Sequence, residues 1–139
     1  MNTNTASMPE KQIVTVAVIT YHSAATVLET LDSIVNQSYG PDNIELIISD
    51  DGSKDNTVQV INGWLNQYQV QFHSVKFFAN KINGGISMNC NVAWKAATSE
   101  WIKTIAGDDI LMPNCLTDNI QYVTEHKSES ITVLFSKMQ

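Results

Sequence analysis

Apolar β-rich runs alternate with segments of helical period along most of this chain. Ile13 to Thr20 reads IVTVAVIT, a continuous β-branched run of the kind a strand shows when both of its faces are covered. From Ala24 to Asn36 the period changes. Val27, Leu28, Leu31, Ile34 and Val35 recur at helical spacing, and the Gly and Pro within Ser38 to Asn43 stop the helix. Ile44 to Ser49 predicts a second strand and Asp50-Asp51-Gly52-Ser53 a turn. Asp55 is expected to cap a helix with Val58, Ile61, Leu65 and Tyr68 on one face. Phe72 to Ala79 predicts a third strand. Ile86 to Ala97 predicts a helix with Ile86, Cys90, Ala93, Trp94 and Ala97 inward, and Trp101 to Ala106 a fourth strand. Pro113 is expected in the first turn of another helix through Leu116, Ile120 and Val123, and Ile131 to Phe135 is expected to form a last strand.

Strands separated by single helices are parallel with right-handed crossovers, which predicts a three-layer α/β/α domain around an open, mainly parallel sheet. One domain over residues 13–139 is expected, preceded by a disordered or tag-like tail at 1–12. Ligands of such sheets bind outside the carboxyl ends of the strands. Here those ends carry Thr20-Tyr21-His22-Ser23, Asp50-Asp51-Gly52-Ser53, Asn80 to Gly85, and Ala106-Gly107-Asp108-Asp109.

Charge narrows the partners. The net charge of -6, without any Lys/Arg cluster, removes the attraction that phosphate-backbone binding needs, so nucleic acid is not expected. Cys90 and Cys115 have no ligand-spaced companions, which argues for reduced thiols rather than a disulfide framework or zinc site. With no secretory signal in the first dozen residues and no apolar run near the roughly 20 residues of a membrane span, a cytoplasmic protein is expected. The sequon Asn36-Gln37-Ser38 carries no weight without a secretory signal.

Two strand ends hold adjacent carboxylates, which raise each other's pKa unless a cation sits with them. Mg²⁺ or Mn²⁺ uses one or two protein carboxylates plus phosphate oxygens, so Asp108-Asp109 fits a site completed by a nucleoside diphosphate. One carboxylate of Asp50-Asp51 is suited to accept the imide N–H of a nucleobase, the other to brace the turn. A turn or a helix cap accounts for either pair taken alone. Asn83-Gly84-Gly85 opens a helix whose free N–H groups favour an anion. Lys81 and Lys103 are the cations nearest in sequence to these motifs. His22 is the one histidine expected at the crevice, and Trp64, Trp94 and Trp101 are expected in helix–sheet packing.

Together these segments resemble the family 2 glycosyltransferases. Val14 to His22 is similar to that family's hydrophobic strand ending in Pro-Thr-Tyr-Asn, and Asp32 to Ser38 to its "SIl.Qt" helix end. Glu45 to Thr57 is close to "EiIIvDDGStDnT", Asn83-Gly84-Gly85-Ile86-Ser87 with Asn91 to "N.G.s...N", and Glu100 to Asp109 to "eyI..l..DD". The five stand in the family's order across residues 13–113. Ile19 replaces the usual Pro, His22 the usual Asn, and Cys90 an Arg that often contacts the nucleotide. Ala106-Gly107-Asp108-Asp109 lacks the first acid of a full Asp-x-Asp.

The resemblance implies a nucleotide-diphospho-sugar transferase fold of the GT-A, Rossmann-like type. Its implied activity is inverting transfer from a UDP-type sugar to a glycan or lipid-linked acceptor, assisted by Mn²⁺ or Mg²⁺, in bacterial surface-polysaccharide assembly. Thr20, Tyr21, Asp50, Asp51, Gly84 and Asp108 are the donor-binding residues it implies, with Asp51 on the base and Asp108 on the ribose side. Asp109, with Asp108, is the implied metal ligand. The acceptor half and its general base are expected beyond Gln139, so a truncated chain without transferase activity of its own is expected. Membrane contact is expected to be peripheral, at the inner face, in the full-length protein. A non-catalytic nucleotide-binding or regulatory module is the alternative. A phosphoacceptor domain needs further acids after the first strand, and Thr20-Tyr21-His22-Ser23 offers none.

Overall fold

A computed structural model describes residues 11–134. Its elements are β1 (Val14–Thr20), α1 (Val27–Val35), β2 (Ile44–Asp50), α2 (Thr57–Tyr68), β3 (Ser74–Ala79), α3 (Ile86–Ala96), β4 (Ile102–Ala106) and α4 (Cys115–Glu125). The strands pair in parallel in the order β3-β2-β1-β4. The predicted α/β alternation and parallel sheet are therefore present.

Period two on each central strand sorts its side chains between two helical layers. Val14, Val16 and Val18 of β1 and Ile44, Leu46 and Ile48 of β2 join Leu31, Ile34, Ile61, Leu65 and Leu116 in the main core, on the side of α1 and α2. Ala17 and Ile47 face the other way, onto Ala93 of α3. Each fully buried Leu or Ile stabilises by about 1.5–3 kcal/mol, so the α1/α2 side carries most of the apolar driving force.

Several boundaries and faces differ from expectation. Residues 131–134 form no strand, and Phe135 of the expected last strand lies outside the described residues, as do residues 1–10 of the expected tail. Lys11 and Gln12 belong to the domain, because their side chains donate to the Tyr39 carbonyl and the Glu100 carboxylate. Pro113 precedes α4, whose N-cap is Asn114. The inward face of α3 is rotated: Asn89 and Ala93 are buried, while Ile86 is 78% and Trp94 46% exposed. Trp94 instead lies over the sheet edge, its indole N–H donating to Thr104 Oγ1 at 2.8 Å. Trp64 sits in the core as expected and donates to Asp32 Oδ1, which ties α2 to α1. Asp55 accepts both the backbone N–H and the hydroxyl of Thr57 in the first turn of α2.

At the opposite end of the sheet from the acidic motifs, Glu45 is buried. Its Oε1 accepts from Thr15 Oγ1 at 2.6 Å and Thr98 N at 2.8 Å, and its Oε2 from Thr98 Oγ1 at 2.8 Å and Lys76 Nζ at 3.4 Å. Burial pushes this carboxyl up, but the hydrogen bonds from Thr15 and Thr98 and the charge of Lys76 together hold it below its ordinary 4.5.

A depressed folded-state value means that the ionised group stabilises the fold above the unfolded-chain pKa. That contribution is lost as pH falls through the folded value. Glu45→Gln is therefore expected to cost about 1–3 kcal/mol at neutral pH. The gap to the unmodified chain should narrow as pH drops below 4.5. Urea denaturation of both proteins from pH 7 to pH 3 measures it, and a gap that stays constant would contradict this account.

Candidate functional site

The register brings the strand ends level. Thr20 pairs with Asp50, Asp50 with Ala79, and Ile19 with Ala106. One backbone bond beyond each pairing continues the ladder into the loops, from Asp51 N to Thr20 O, Asn80 N to Asp50 O and Gly107 N to Ile19 O. The loops therefore leave the sheet side by side, and those after β1, β2 and β4 border, with α3, an open cavity of about 550 Å³. Its wall includes Thr20, Tyr21, Asp51, Asp108 and Asp109.

Asp50 and Asp51 have separate tasks. Asp50 is fully buried: its Oδ1 accepts from Thr20 Oγ1 at 2.7 Å and Ser53 Oγ at 2.6 Å, and its Oδ2 from Ser53 N at 2.8 Å. It braces the turn and does not face the cavity, which corrects its expected place among the ligand-binding residues. Asp51, 6% exposed, reaches the cavity wall. Its Oδ1 accepts from Gly84 N at 2.7 Å and its Oδ2 from Gly85 N at 3.0 Å. The anion at the start of α3 is therefore the protein's own carboxylate, placed where unpaired N–H groups and the helix dipole favour it. Gly84 spends its N–H on Asp51 and is not part of the cavity wall, contrary to expectation. Each carboxylate oxygen of Asp51 retains acceptor capacity toward the cavity.

Gly52 takes φ +74, and a Cβ there would lie 2.9 Å from the backbone N of Asn83. The acidic turn and the loop before α3 are thus packed backbone to backbone.

Tyr21 is half exposed and stacks on His22, with ring centroids 4.1 Å apart. His22 has φ +50. Asn and His are among the side chains enriched in that left-handed region, which accounts for His standing where the resembling family has Asn. His22 Nε2 accepts from Lys54 N, and its own N–H donates to Ser53 Oγ, so the first loop is sewn to the second.

Asp108 and Asp109 are exposed on the loop after β4. That loop is anchored to α1 by side chains the sequence reading passed over. Thr26 Oγ1 donates to Gly107 O at 2.7 Å, Ser33 Oγ accepts from Leu111 N at 3.1 Å, and Gln37 Nε2 donates to Met112 O at 2.7 Å. Gln37 Oε1 also accepts from Leu116 N, capping α4 from another helix. Among the described residues no group of three or more His, Cys, Asp or Glu side chains is placed to hold a metal. A cation held by Asp108 and Asp109 would have to draw its remaining ligands from phosphate and water. Lys103 lines a different, mostly apolar cavity beside α4, and Lys81 is exposed.

Asn89, 2% exposed, is a further buried residue that no apolar period announces. The expected inward face, Ile86, Cys90, Ala93, Trp94 and Ala97, shares Ala93 with the observed one, but the polar Asn89 is buried where Ile86 and Trp94 are exposed, because its amide finds partners at the strand ends.

Residues 15–136 match the family described as Glycosyl transferase family 2. The poly(ribitol-phosphate) beta-N-acetylglucosaminyltransferase TarS of Staphylococcus aureus is 29% identical over 124 residues, 89% of this chain and 20% of TarS. The minor teichoic acid biosynthesis protein GgaB of Bacillus subtilis is 28% identical over 109 residues, 78% of this chain and 12% of GgaB. The chain thus spans a fifth or less of the length of these two relatives. Among solved structures, S. aureus TarS 1-349 in complex with UDP superposes with a TM-score of 0.74 at 28% identity, over 83% of this chain and 33% of that one. The mannosyltransferase PcManGT from Pyrobaculum calidifontis, in complex with GDP-Man and Mn²⁺, gives 0.74 at 25% identity over the same shares. The sheet and its helices thus match the GT-A type of transferase.

A Cβ on Gly107 would lie 2.9 Å from both Ser23 Oγ and Thr20 Cγ2, whereas one on Gly63, within α2, meets nothing within 4 Å. Gly107→Ala is expected to destabilise by about 1–3 kcal/mol through overpacking. Gly63→Ala is expected to stabilise by about 0.5–1 kcal/mol through backbone entropy. Thermal melts of the two variants should shift in opposite directions, and equal tolerance would refute the close approach of the acidic loop to the first strand end.

Proposed function

Because this chain belongs to glycosyl transferase family 2, we propose that it is the donor-binding part of an enzyme that moves a sugar from a nucleoside-diphosphate sugar, UDP-linked, to a glycan or lipid-linked acceptor with inversion. The observation that carries this reading is the single cavity that gathers Thr20, Tyr21, Asp51, Asp108 and Asp109 at the strand ends. The ring of Tyr21 offers a stacking face for a base. Asp51 has acceptor capacity for an imide N–H, and Asp108 accepts from ribose hydroxyls in this reading. Asp109, with Asp108, holds the cation. A bound Mn²⁺ or Mg²⁺ supplies neutralisation of the charge that develops on the departing diphosphate. The complexes of TarS with UDP and of PcManGT with GDP-Man and Mn²⁺ support the same class of ligand here.

Among the described residues the cavity wall presents no carboxylate besides Asp51, Asp108 and Asp109, and His22 Nε2 is engaged by Lys54. Among the described residues the cavity wall thus offers no further carboxylate to activate an acceptor hydroxyl, and the chain is expected to bind donor without transferring sugar. Both cysteines are free thiols, which supports a cytoplasmic setting, with the inner membrane face as the place of transfer.

Calorimetric titration with UDP and GDP, with and without Mn²⁺, tests the assignment. Asp109→Asn is expected to melt as the unmodified chain does, because the side chain is exposed, yet to lose the Mn²⁺-dependent part of its affinity. Asp51→Ala should weaken UDP binding by about tenfold to a hundredfold, the equivalent of a lost hydrogen bond to a charged group. It should also blur the preference between bases, lower the melting temperature because Gly84 and Gly85 lose their acceptor, and keep the Mn²⁺ response. Retention of that response in Asp109→Asn would overturn the metal assignment. Nucleotide binding indifferent to metal in the unmodified chain would favour a regulatory module.

A further inference from the structure

The sheet face beneath α3 buries little apolar surface. Ala17, Ile47 and Ala93 are its buried members, with Ile19, Ala96 and Ala97 part-buried. Alanine contributes far less on burial than the Leu, Ile and Val of the other face, so apolar packing alone holds α3 loosely. Two polar contacts hold it at its cavity end. The first is the Asp51 carboxylate on Gly84 and Gly85, which fixes the approach to the helix. The second is Asn89, 2% exposed. Its Nδ2 donates to Ser49 O at 3.0 Å and Thr20 O at 3.3 Å, and its Oδ1 accepts from Ser49 Oγ at 2.5 Å and Asn80 Nδ2 at 3.3 Å. One amide thereby ties the helix to the ends of β1 and β2 and to the loop after β3. A primary amide can donate twice and accept twice from one small side chain.

We propose that Asn89 is a positioning residue for the donor cavity. It sets the distance of the α3 wall, Ile86 and Cys90, from Tyr21 and Asp51, all of which line that cavity. Without it, α3 stays tethered before its first turn at Gly84 and Gly85 and at its far end by Trp94 on Thr104 and Lys76 on the Ala96 carbonyl, while the turn between them, which carries Cys90, loses its hold on the ends of β1 and β2. The importance of this for donor binding rests on the function proposed above; the placement of the helix does not.

The part-buried thiol of Cys90, one residue from Asn89, reports that placement directly. In a Cys115→Ser background, Asn89→Ala and Asn89→Asp are compared with Val35→Ala, a core change on the opposite face. Asn89→Asp keeps the volume but presents a carboxylate, which cannot donate, to two backbone carbonyls. Labelling of Cys90 by Ellman's reagent is expected to accelerate about tenfold in both Asn89 variants, and their affinity for UDP to fall about tenfold. Val35→Ala should lower the melting temperature while leaving labelling rate and affinity unchanged.

Three results would overturn the proposal. One is labelling in the Asn89 variants within twofold of the parent. Another is equal acceleration in Val35→Ala, which would mean the effect follows global stability. The third is loss of the fold in both Asn89 variants, because a positioning residue leaves the α1/α2 core intact. If the parent chain binds no UDP, the donor-site reading falls and labelling alone decides the role of Asn89.

Discussion

Parallel strands that stop in register leave backbone carbonyls and turn N–H groups with no further ladder to join, and a buried polar group without a partner costs about 1–3 kcal/mol. The rest of the molecule follows from how this chain meets that demand. Asp50 gathers Thr20 and Ser53, Asn89 gathers Thr20, Ser49 and Asn80, and Asp51 gathers Gly84 and Gly85. These bonds join the ends of β1, β2 and β3 and the start of α3 into one polar network. The cavity is the space this network leaves uncovered.

The two faces of the sheet divide the work of stability and function. The side of α1 and α2 is packed with branched apolar residues and holds the strands together. It also reaches the site at a distance, because Thr26, Ser33 and Gln37 project from or beside α1 to grip the loop carrying Asp108 and Asp109. The side of α3 has mainly alanines against the sheet and relies on directional polar bonds. Apolar burial does not select a geometry to a fraction of an ångström, whereas hydrogen bonds at fixed angles do. The cavity wall formed by α3 is thus the one held by hydrogen bonds.

Electrostatics favours the cation proposed for this site. The chain carries a net charge of -6, and Asp51, Asp108 and Asp109 line one cavity. The backbone N–H groups of Gly84 and Gly85, the natural receptors for an anion, are already spent on Asp51. For the proposed donor, these carboxylates would repel the diphosphate unless a divalent ion lay between. The exposed carboxylates of Asp108 and Asp109 leave oxygens open to solvent, with Asp109 Oδ2 accepting from the Ala106 N–H at 3.4 Å. The buried carboxylate at Asp50 does not.

By itself, the sequence determined the elements and their order. Strand and helix periods are local properties of neighbouring residues, and the β-branched runs, the Gly and Pro stops and the acidic strand ends are all visible without coordinates. The family was legible for the same reason, since its motifs are short and consecutive. Tertiary structure decided which of two adjacent acids faces the cavity, because Asp50 and Asp51 are alike until Thr20, Ser53, Gly84 and Gly85 choose between them. It decided the rotation of α3, where a polar Asn89 rather than an apolar residue faces the sheet. It also decided that residues 131–134 make no strand despite their composition. It revealed why Gln37 closes the first helix motif: its partners Met112 and Leu116 are 75 and 79 residues away. A pattern read along a chain reports propensity, whereas the pairing of a polar atom depends on which distant atoms the fold brings to it.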